Sequence, residues 1–498
     1  MKLLMIIFVS ILFSLSVDAE VKRPATILLI CDESHVSSWS KFASWKTSIG
    51  KATKIISVKT ISEKYKGKDI QEKIRLCCLD HINNHKTKWV ILGGDSQPGG
   101  KGLVPDRDTY HINQYAQYAD LPTDIYYLSE KNWDSNNDGL YGDWNNDKDS
   151  ISYTNVKASI GRIPVRSKKD IAAYTAKIIS HESNYPEKEF AFNLIYTCPM
   201  AGAYPKLNTS KKVLESNWKG GLPQQFFGHV TPWDKVKKGD HELLPSNWID
   251  LINKKSVGKM HMHGHGLLNV WVLENHKTVD ANSISKLKNE NAYLTMTTVS
   301  CFTGKYDGVK DPSVTESMLR KEKGGAVIIV APSREGVPIF HNPRVDFPLM
   351  MKGKMDGTTR TLTNFWRHAL SEDMTAGDAM RAAKADMIDD AVKSNNFHYL
   401  QCELNLLGDP TLDLRARNPR RPIVTVPKEL KKGKQKLIVS TDAPGSTICI
   451  MNKEIYQVKK TNDKGQAEFE ISPKSKDTIS LKVSGPSLNV ASVVINVK

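Results

Sequence analysis

Cysteine is scarce in this chain and odd in number. Seven thiols, Cys31, Cys77, Cys78, Cys198, Cys301, Cys402 and Cys449, are spread over 498 residues. That density is too low for a disulfide-built scaffold, and no CxxC pair offers a structural zinc site. In an exported chain an odd count leaves at least one thiol unpaired, so a free functional cysteine is expected. Long apolar runs are also missing beyond the N-terminus, which excludes a later membrane-spanning helix. There is no internal repeat and no low-complexity tract. Nor is there a basic stripe interleaved with aromatics or a nucleic-acid motif, which removes nucleic acid from the expected partners. The net charge of +16 comes from lysines scattered along the sequence. Such a surface is solvated, and it can attract an anionic polymer or cell surface.

What is present suits a globular protein: 40% hydrophobic and 25% charged residues, over a length that calls for two or three domains. The N-terminus reads as a targeting segment. Lys2 supplies the positive start, and residues 3–17 are apolar except for Ser10, Ser14 and Ser16. Val17-Asp18-Ala19 then places slim residues where a signal peptidase cuts. The apolar stretch is shorter than the ~20 residues a span requires. Residues 1–19 are therefore expected to be a signal peptide, and the protein to be periplasmic, extracellular or at the cell surface.

Through about residue 415, β-rich apolar runs alternate with helical spacing. Strands are expected at residues 25–30, 89–92, 192–196, 259–263, 293–300 and 326–330. Helices are expected at 69–82, 168–182, 313–320 and 376–392. This alternation predicts an α/β fold with parallel sheets covered by helices. Residues 183–188 read as a joint, giving an N-terminal α/β subdomain at 20–183 and a second at 184–418. Residues 416–422 read as a linker. From 422 to 498 short alternating runs separated by turn residues predict a small β-sandwich; these runs are 423–426, 436–440, 446–451, 466–471, 478–483 and 491–497.

The densest chemical signal is Met260-His261-Met262-His263-Gly264-His265-Gly266, at the end of an expected strand. Alternation would put His261, His263 and His265 on one face, where three imidazoles could bind zinc. The two glycines argue that the strand ends there, which swings His265 away from the other two. The other reading is a catalytic His-Gly turn, in which glycine lets the backbone approach a substrate and offers an oxyanion donor. A nucleophile would come from a neighbouring strand end, and Cys301 directly follows the expected strand at 293–300. The rim at the carboxyl ends of parallel strands is where α/β proteins place their sites.

Here the sequence resembles the gingipain-like cysteine peptidases, peptidase family C25. The run Gly264-His265-Gly266-Leu267-Leu268-Asn269-Val270-Trp271 resembles that family's His-Gly box, in which a tryptophan follows the catalytic histidine by six positions. Val299-Ser300-Cys301 followed by Gly304 resembles its nucleophile strand. Leu406-Leu407-Gly408-Asp409-Pro410-Thr411-Leu412 is similar to its closing motif. Leu92-Gly93-Gly94-Asp95 and Gly161-Arg162-Ile163-Pro164-Val165-Arg166 also fit, in the right order. The resemblance implies a caspase-like catalytic region, with the tail as an immunoglobulin-like domain. It implies a Cys-His dyad of Cys301 and His265, with oxyanion donors from the N–H groups of Gly266 and Cys301. The expected function is an exported cysteine endopeptidase that acts on proteins or peptides through an acyl-enzyme. The alternative is a catalytically silent scaffold or adhesion protein that keeps the fold and binds a polymer or surface.

Two stretches depart from the family pattern. An acidic residue that supports the histidine in its best-known members has no counterpart in Tyr196-Thr197-Cys198-Pro199-Met200-Ala201-Gly202. The acid that selects basic side chains has none in residues 205–213, and Glu215 is only the nearest acid. The first strand also follows closely on the signal, which leaves no room for the large pro-domain of some relatives. A separate loop, Asp134-Ser135-Asn136-Asn137-Asp138-Gly139-Leu140, has D-x-N-x-D-G spacing. Its oxygens from Asp134, Asn136 and Asp138 and the Leu140 carbonyl could surround calcium, with Asp143 or Asp147 completing the shell. The other reading is a hydrogen-bonded turn, since Asn145 stands where a bidentate glutamate would close the site.

Overall fold

A computed structural model describes residues 25–112, 117–148, 157–187, 194–197, 225–227, 244–255, 257–262, 264–273, 276–310, 312–337 and 357–498. The expected signal peptide, His263, the stretch 198–202, the loop at 205–213 and Glu215 lie outside the described residues.

Ten strands build one central sheet: β1 Ile27–Cys31, β2 Thr53–Ser57, β3 Trp89–Gly93, β4 Ser159–Arg162, β5 Leu194–Thr197, β6 Gln225–Phe227, β7 Lys259–Met262, β8 Leu294–Thr298, β9 Ala326–Pro332 and β10 Leu404–Gly408. Their order is β6-β5-β7-β8-β9-β10-β4-β3-β1-β2. Every neighbouring pair is parallel except β9 with β10. Parallel strands covered on both faces need apolar side chains throughout, which is why β1 reads as an unbroken Ile-Leu-Leu-Ile-Cys run. Alternate residues go to opposite sides. Ile27, Leu29, Cys31 and Ile91 join one core. Leu28, Ile30, Val90 and Leu92 join the other.

Helices cover these cores: α1 Ser40–Ser48, α2 Ile70–His85, α3 Lys168–Ser183, α4 Pro245–Asn253, α5 Val314–Arg320, α6 Gly357–Ser371, α7 Ala376–Ala385 and α8 Asn395–Glu403. Several start where side-chain oxygens cap orphan N–H groups. Asp69 caps α2, and Ser167 and Ser313 form capping boxes with Asp170 and Glu316. The helix expected over 376–392 is two helices, because α7 ends at Ala385 and a short turn of helix follows at Ile388–Ala391. The break has a packing cause. Ala376, Ala379, Met380 and Ala383 face the first core, whereas Met387 and Ala391 face the second. One straight stripe cannot serve both.

The strands before and after the joint share this one sheet, through β4 against β10 with Arg162 opposite Leu407. The seam is tight: a Cβ on Gly161 would lie 2.6 Å from Leu406 Cδ2 and 2.7 Å from the Gly408 carbonyl oxygen. Buried charges brace the same region. Arg162 donates to both Asp124 oxygens, at 2.8 and 2.6 Å. Lys46 reaches Glu182 at 2.7 Å and Asp409 at 2.6 Å. Removing one member of such a buried set strands the other charge, at a cost of about 3–5 kcal/mol.

The tail adds β11 Val424–Thr425, β12 Glu429–Leu430, β13 Gln435–Thr441, β14 Thr447–Met451, β15 Tyr456–Lys460, β16 Gln466–Ile471, β17 Thr478–Ser484 and β18 Ala491–Val497. They form two sheets, β11-β13-β16 and β12-β18-β17-β14-β15. Leu437, Val439 and Phe469 of the first share a core with Ile448, Ile450 and Leu481 of the second. The strict in-out alternation of Gln466–Ile471 is the pattern visible in the sequence. The stretch read as a linker is pinned at both ends: just before it Arg415 donates to the His181 and Leu488 carbonyls at 2.6 Å each, and within it Arg421 donates to the Ser183 carbonyl at 2.6 Å. Among the described residues no helix is long and apolar enough to cross a membrane.

Candidate active site

β7 and β8 lie side by side with Met262 opposite Thr298. The ladder runs one step further, with the Val299 N–H donating to the Met262 carbonyl at 3.0 Å. His265 stands three residues past Met262 and Cys301 three residues past Thr298, so both leave the sheet at the same level, at its carboxyl rim.

The loop that carries Cys301 is tied down at every step. Ser300 N–H donates to Thr298 Oγ1 at 3.1 Å, and Thr303 Oγ1 donates to the Ser300 carbonyl at 2.7 Å. Phe302 takes a left-handed φ of 59° while its N–H donates to the Arg334 carbonyl at 2.7 Å. A left-handed non-glycine residue beside a candidate nucleophile marks local strain that the surroundings hold in place. Gly304 N–H donates to the Pro332 carbonyl at 2.9 Å, and a Cβ on Gly304 would lie 2.7 Å from that of Ala331. Buried Arg334 pairs with Asp307 at 2.8 Å, which fastens the far end of the loop.

Cys301 itself is half-buried, with its sulfur 3.7 Å from the Gly336 carbonyl oxygen. Burial pushes its thiol above the ordinary value. The Gly336 contact opposes that rise, and the charge of Glu403 adds to it. A thiol raised in this way would need a base to take its proton before it could act as a nucleophile.

The histidine side is built differently. Gly266–Leu267 pairs with Val270–Trp271 in a tight hairpin, and the Val272 N–H donates to the His265 carbonyl at 3.0 Å. Trp271 is fully buried, 6.3 Å from the Trp248 ring, and roots the hairpin in the core. The hairpin also accepts the Val314 N–H on the Leu268 carbonyl at 2.8 Å. His265 is exposed. Its neighbour Gly266 lies directly against the loop that carries Cys301. A Cβ on Gly266 would meet Thr303 Cγ2 at 2.4 Å, Ser300 Cβ at 2.8 Å and the Cys301 carbonyl oxygen at 3.0 Å. Only glycine allows this approach, so the two halves of the sequence signal are brought together in space.

His261 takes no part in this. It is buried within β7, 2.7 Å from Thr297 Oγ1, which also accepts the Trp366 indole N–H at 2.8 Å. The strand ends at Met262, so His261 and His265 do not share a face, and among the described residues neither is gathered with two further metal ligands.

The structure also reveals residues beside Cys301 that motif reading passed over. Thr358 Oγ1 accepts the Val337 N–H at 3.0 Å and donates to fully buried Glu403 at 2.8 Å. Glu403 in turn accepts the Ser333 N–H on its carbonyl at 2.9 Å. This chain of contacts holds the Ser333–Val337 stretch, and with it the Gly336 carbonyl, against the sulfur. The one sequence cue was the place of Glu403, immediately before the closing-motif strand β10.

In the acidic loop, Asp134 is buried and Asn136, Asp138 and Leu140 are exposed. Asp138 accepts the Leu140 N–H at 2.8 Å and the Asn136 amide at 2.7 Å. Asp147 accepts the Ser135 N–H at 2.7 Å, while burial, together with the charges of Asp134 and Asp138, pushes its carboxyl upward. Three carboxylates thus share one negative field, and the Lys68 ammonium answers it by reaching Asp134 at 3.5 Å.

No curated protein matches the chain. Among solved structures, the Arg-specific cysteine proteinase gingipain R superposes with a TM-score of 0.69 at 16% identity, covering 97% of this chain and 100% of that one. The complex of Porphyromonas gingivalis RgpB pro- and mature domains gives the same TM-score and identity, covering 95% and 100%. A structure described only as a protease gives 0.67 at 13% identity, covering 95% and 98%. These likenesses establish a shared mixed α/β fold around a largely parallel sheet. The model of peptidase family C25 matches residues 20–415, which takes in the central sheet and both strand-end loops. The chain belongs to peptidase family C25 and is a cysteine peptidase.

Proposed function

We propose that Cys301 and His265 are the catalytic dyad of an exported endopeptidase that cleaves peptide bonds in proteins. The observation that carries this is the packing of Gly266 onto Ser300, Cys301 and Thr303, which sets the histidine turn on the cysteine loop. His265 takes the thiol proton as sulfur attacks the scissile carbonyl carbon. The oxyanion that forms is held by the N–H groups of Gly266 and Cys301. His265 then returns the proton to the leaving amine, and a thioester remains on Cys301. Water, deprotonated by His265, attacks the thioester; the acid leaves and the thiol is restored. Incubation of the protein with a peptide library tests this reading: cleavage is expected in the wild type, and its persistence in Cys301→Ala would contradict it.

Residues 1–19 act as the export signal in this reading, and N-terminal sequencing of secreted protein should begin near Glu20. The chain divides into α/β units at 20–183 and 184–418 that form a caspase-like catalytic region, and an immunoglobulin-like tail at 422–498. The basic surface favours contact with anionic cell surfaces. The acidic loop binds calcium structurally through Asp134, Asn136, Asp138 and the Leu140 carbonyl. The negative field around Asp147 supports that site. Its present hydrogen bonds would have to exchange for the ion.

A further inference from the structure

A second cluster of reactive side chains lies outside the strand-end loops. His398 and Cys402 are four residues apart on α8, so they rise from one face of that helix. His111 comes from the strand Arg107–Ile112, which pairs with Gln117–Thr123. All three are buried, at 1% exposure or less. One ring nitrogen of each histidine and the Cys402 sulfur lie within 4.8 Å of one another. The chain has brought three soft or borderline ligands together from two distant segments, in a place water does not reach.

The surroundings are those of a ligand set. Nε2 of His398 is 2.9 Å from the Gly142 carbonyl oxygen, and Nε2 of His111 is 3.1 Å from Thr109 Oγ1. Metal-binding imidazoles are ordinarily held in this way, one ring nitrogen by an oxygen partner and the other on the metal. Thr109 is itself fixed, donating to the Leu121 carbonyl at 2.9 Å. The rings of Tyr399, Trp133 and Trp144 lie around the pair, at 5.8 Å from His111 and 6.4 and 5.8 Å from His398.

We infer that His111, His398 and Cys402 form a buried site for one thiophilic d10 metal ion, copper(I) or zinc. Two imidazoles and one thiolate are a donor set these ions prefer, and neither ion demands a particular geometry from its d electrons. Binding replaces the thiol S–H bond with a sulfur–metal bond and releases the proton to solvent. One thiolate fully neutralises copper(I) and half-neutralises zinc, so burial favours copper(I) of the two. The ion would fasten α8 to the paired strands Arg107–Ile112 and Gln117–Thr123. That helix also holds the nucleophile's wall, because Tyr399 Oη donates to the Glu335 carbonyl at 2.9 Å, next to Gly336. The site is thus structural and lies one helix away from the chemistry.

The test uses full-length Cys301→Ala protein, which removes the competing reactive thiol. It is loaded with zinc sulfate, or with copper(I) under anaerobic conditions, then desalted, and its metal content is measured by mass spectrometry. About one equivalent of one of the two metals should be retained, with a higher unfolding temperature. Adding Cys402→Ser or His111→Gln should each lower retention roughly tenfold or more. Cobalt(II) loading should give a thiolate charge-transfer band that Cys402→Ser abolishes. If the serine variant fails to fold, His111→Gln carries the comparison by itself, with circular dichroism confirming its fold. Folded protein that retains neither metal, or undiminished retention in the folded variants, overturns the inference.

Discussion

The two loops that meet at the sheet rim are built on opposite principles. The cysteine loop is over-determined: hydrogen bonds from Ser300, Phe302, Thr303 and Gly304 and the Arg334–Asp307 pair fix almost every residue of it. The histidine turn stands exposed and is held by fewer contacts: the root of Trp271 in the core, the Val314 N–H on the Leu268 carbonyl, and the bare face of Gly266 on the cysteine loop. The difference teaches where catalysis is vulnerable. The proposed nucleophile's position is a property of the core, whereas the proposed base's position depends most on one close glycine contact.

That contrast can be broken or sharpened by measurement. The largest effect belongs to the sulfur: Cys301→Ala should lower peptide turnover by on the order of 10⁴-fold or more, read as single-turnover cleavage. Next comes the glycine contact. Gly266→Ala puts a methyl where Thr303 and Ser300 already are, and should cost about 10²-fold in kcat through misplacement of His265. The folded core should be largely spared, so an equal loss of stability would show that the turn is not the independent piece described here. A motif residue far from the rim should do the reverse. Asp409→Ala leaves Lys46 buried with a weakened set of partners and should cost about 3–5 kcal/mol in denaturant unfolding, with little change in kcat per folded molecule. The smallest effect is calcium, which should raise the unfolding temperature slightly; Asp134→Ala combined with Asp138→Ala should remove the gain.

Much of this was legible in the sequence, and for a physical reason. Parallel strands buried on both faces must be apolar throughout, so β1, β3 and β9 announce themselves, and the helical spacing of apolar residues announces the helices that begin near residues 69, 168 and 313. The two strand ends that carry His265 and Cys301 do lie side by side, and Gly266 is glycine where the two backbones touch. The upstream motifs proved to be braces: Asp95 pairs with Arg166, and Arg162 with Asp124. Hidden from sequence reading were contacts between segments far apart in the chain. Glu403 reaching Thr358, and His111 meeting Cys402, have no local period to betray them. The broken helix after Ala385 was missed because an amphipathic pattern does not tell which of two cores a stripe will face.

The dyad itself is tested most directly by the pH dependence of Cys301 alkylation with iodoacetamide, in wild type and in His265→Ala. Burial raises the thiol above its ordinary value of 9.0, so without a base its reactivity should climb only in alkaline solution. With His265 acting as that base, the wild type should be modified readily near neutral pH, and His265→Ala should lose that neutral reactivity and keep only the alkaline limb. Superimposable profiles for the two proteins would contradict the account.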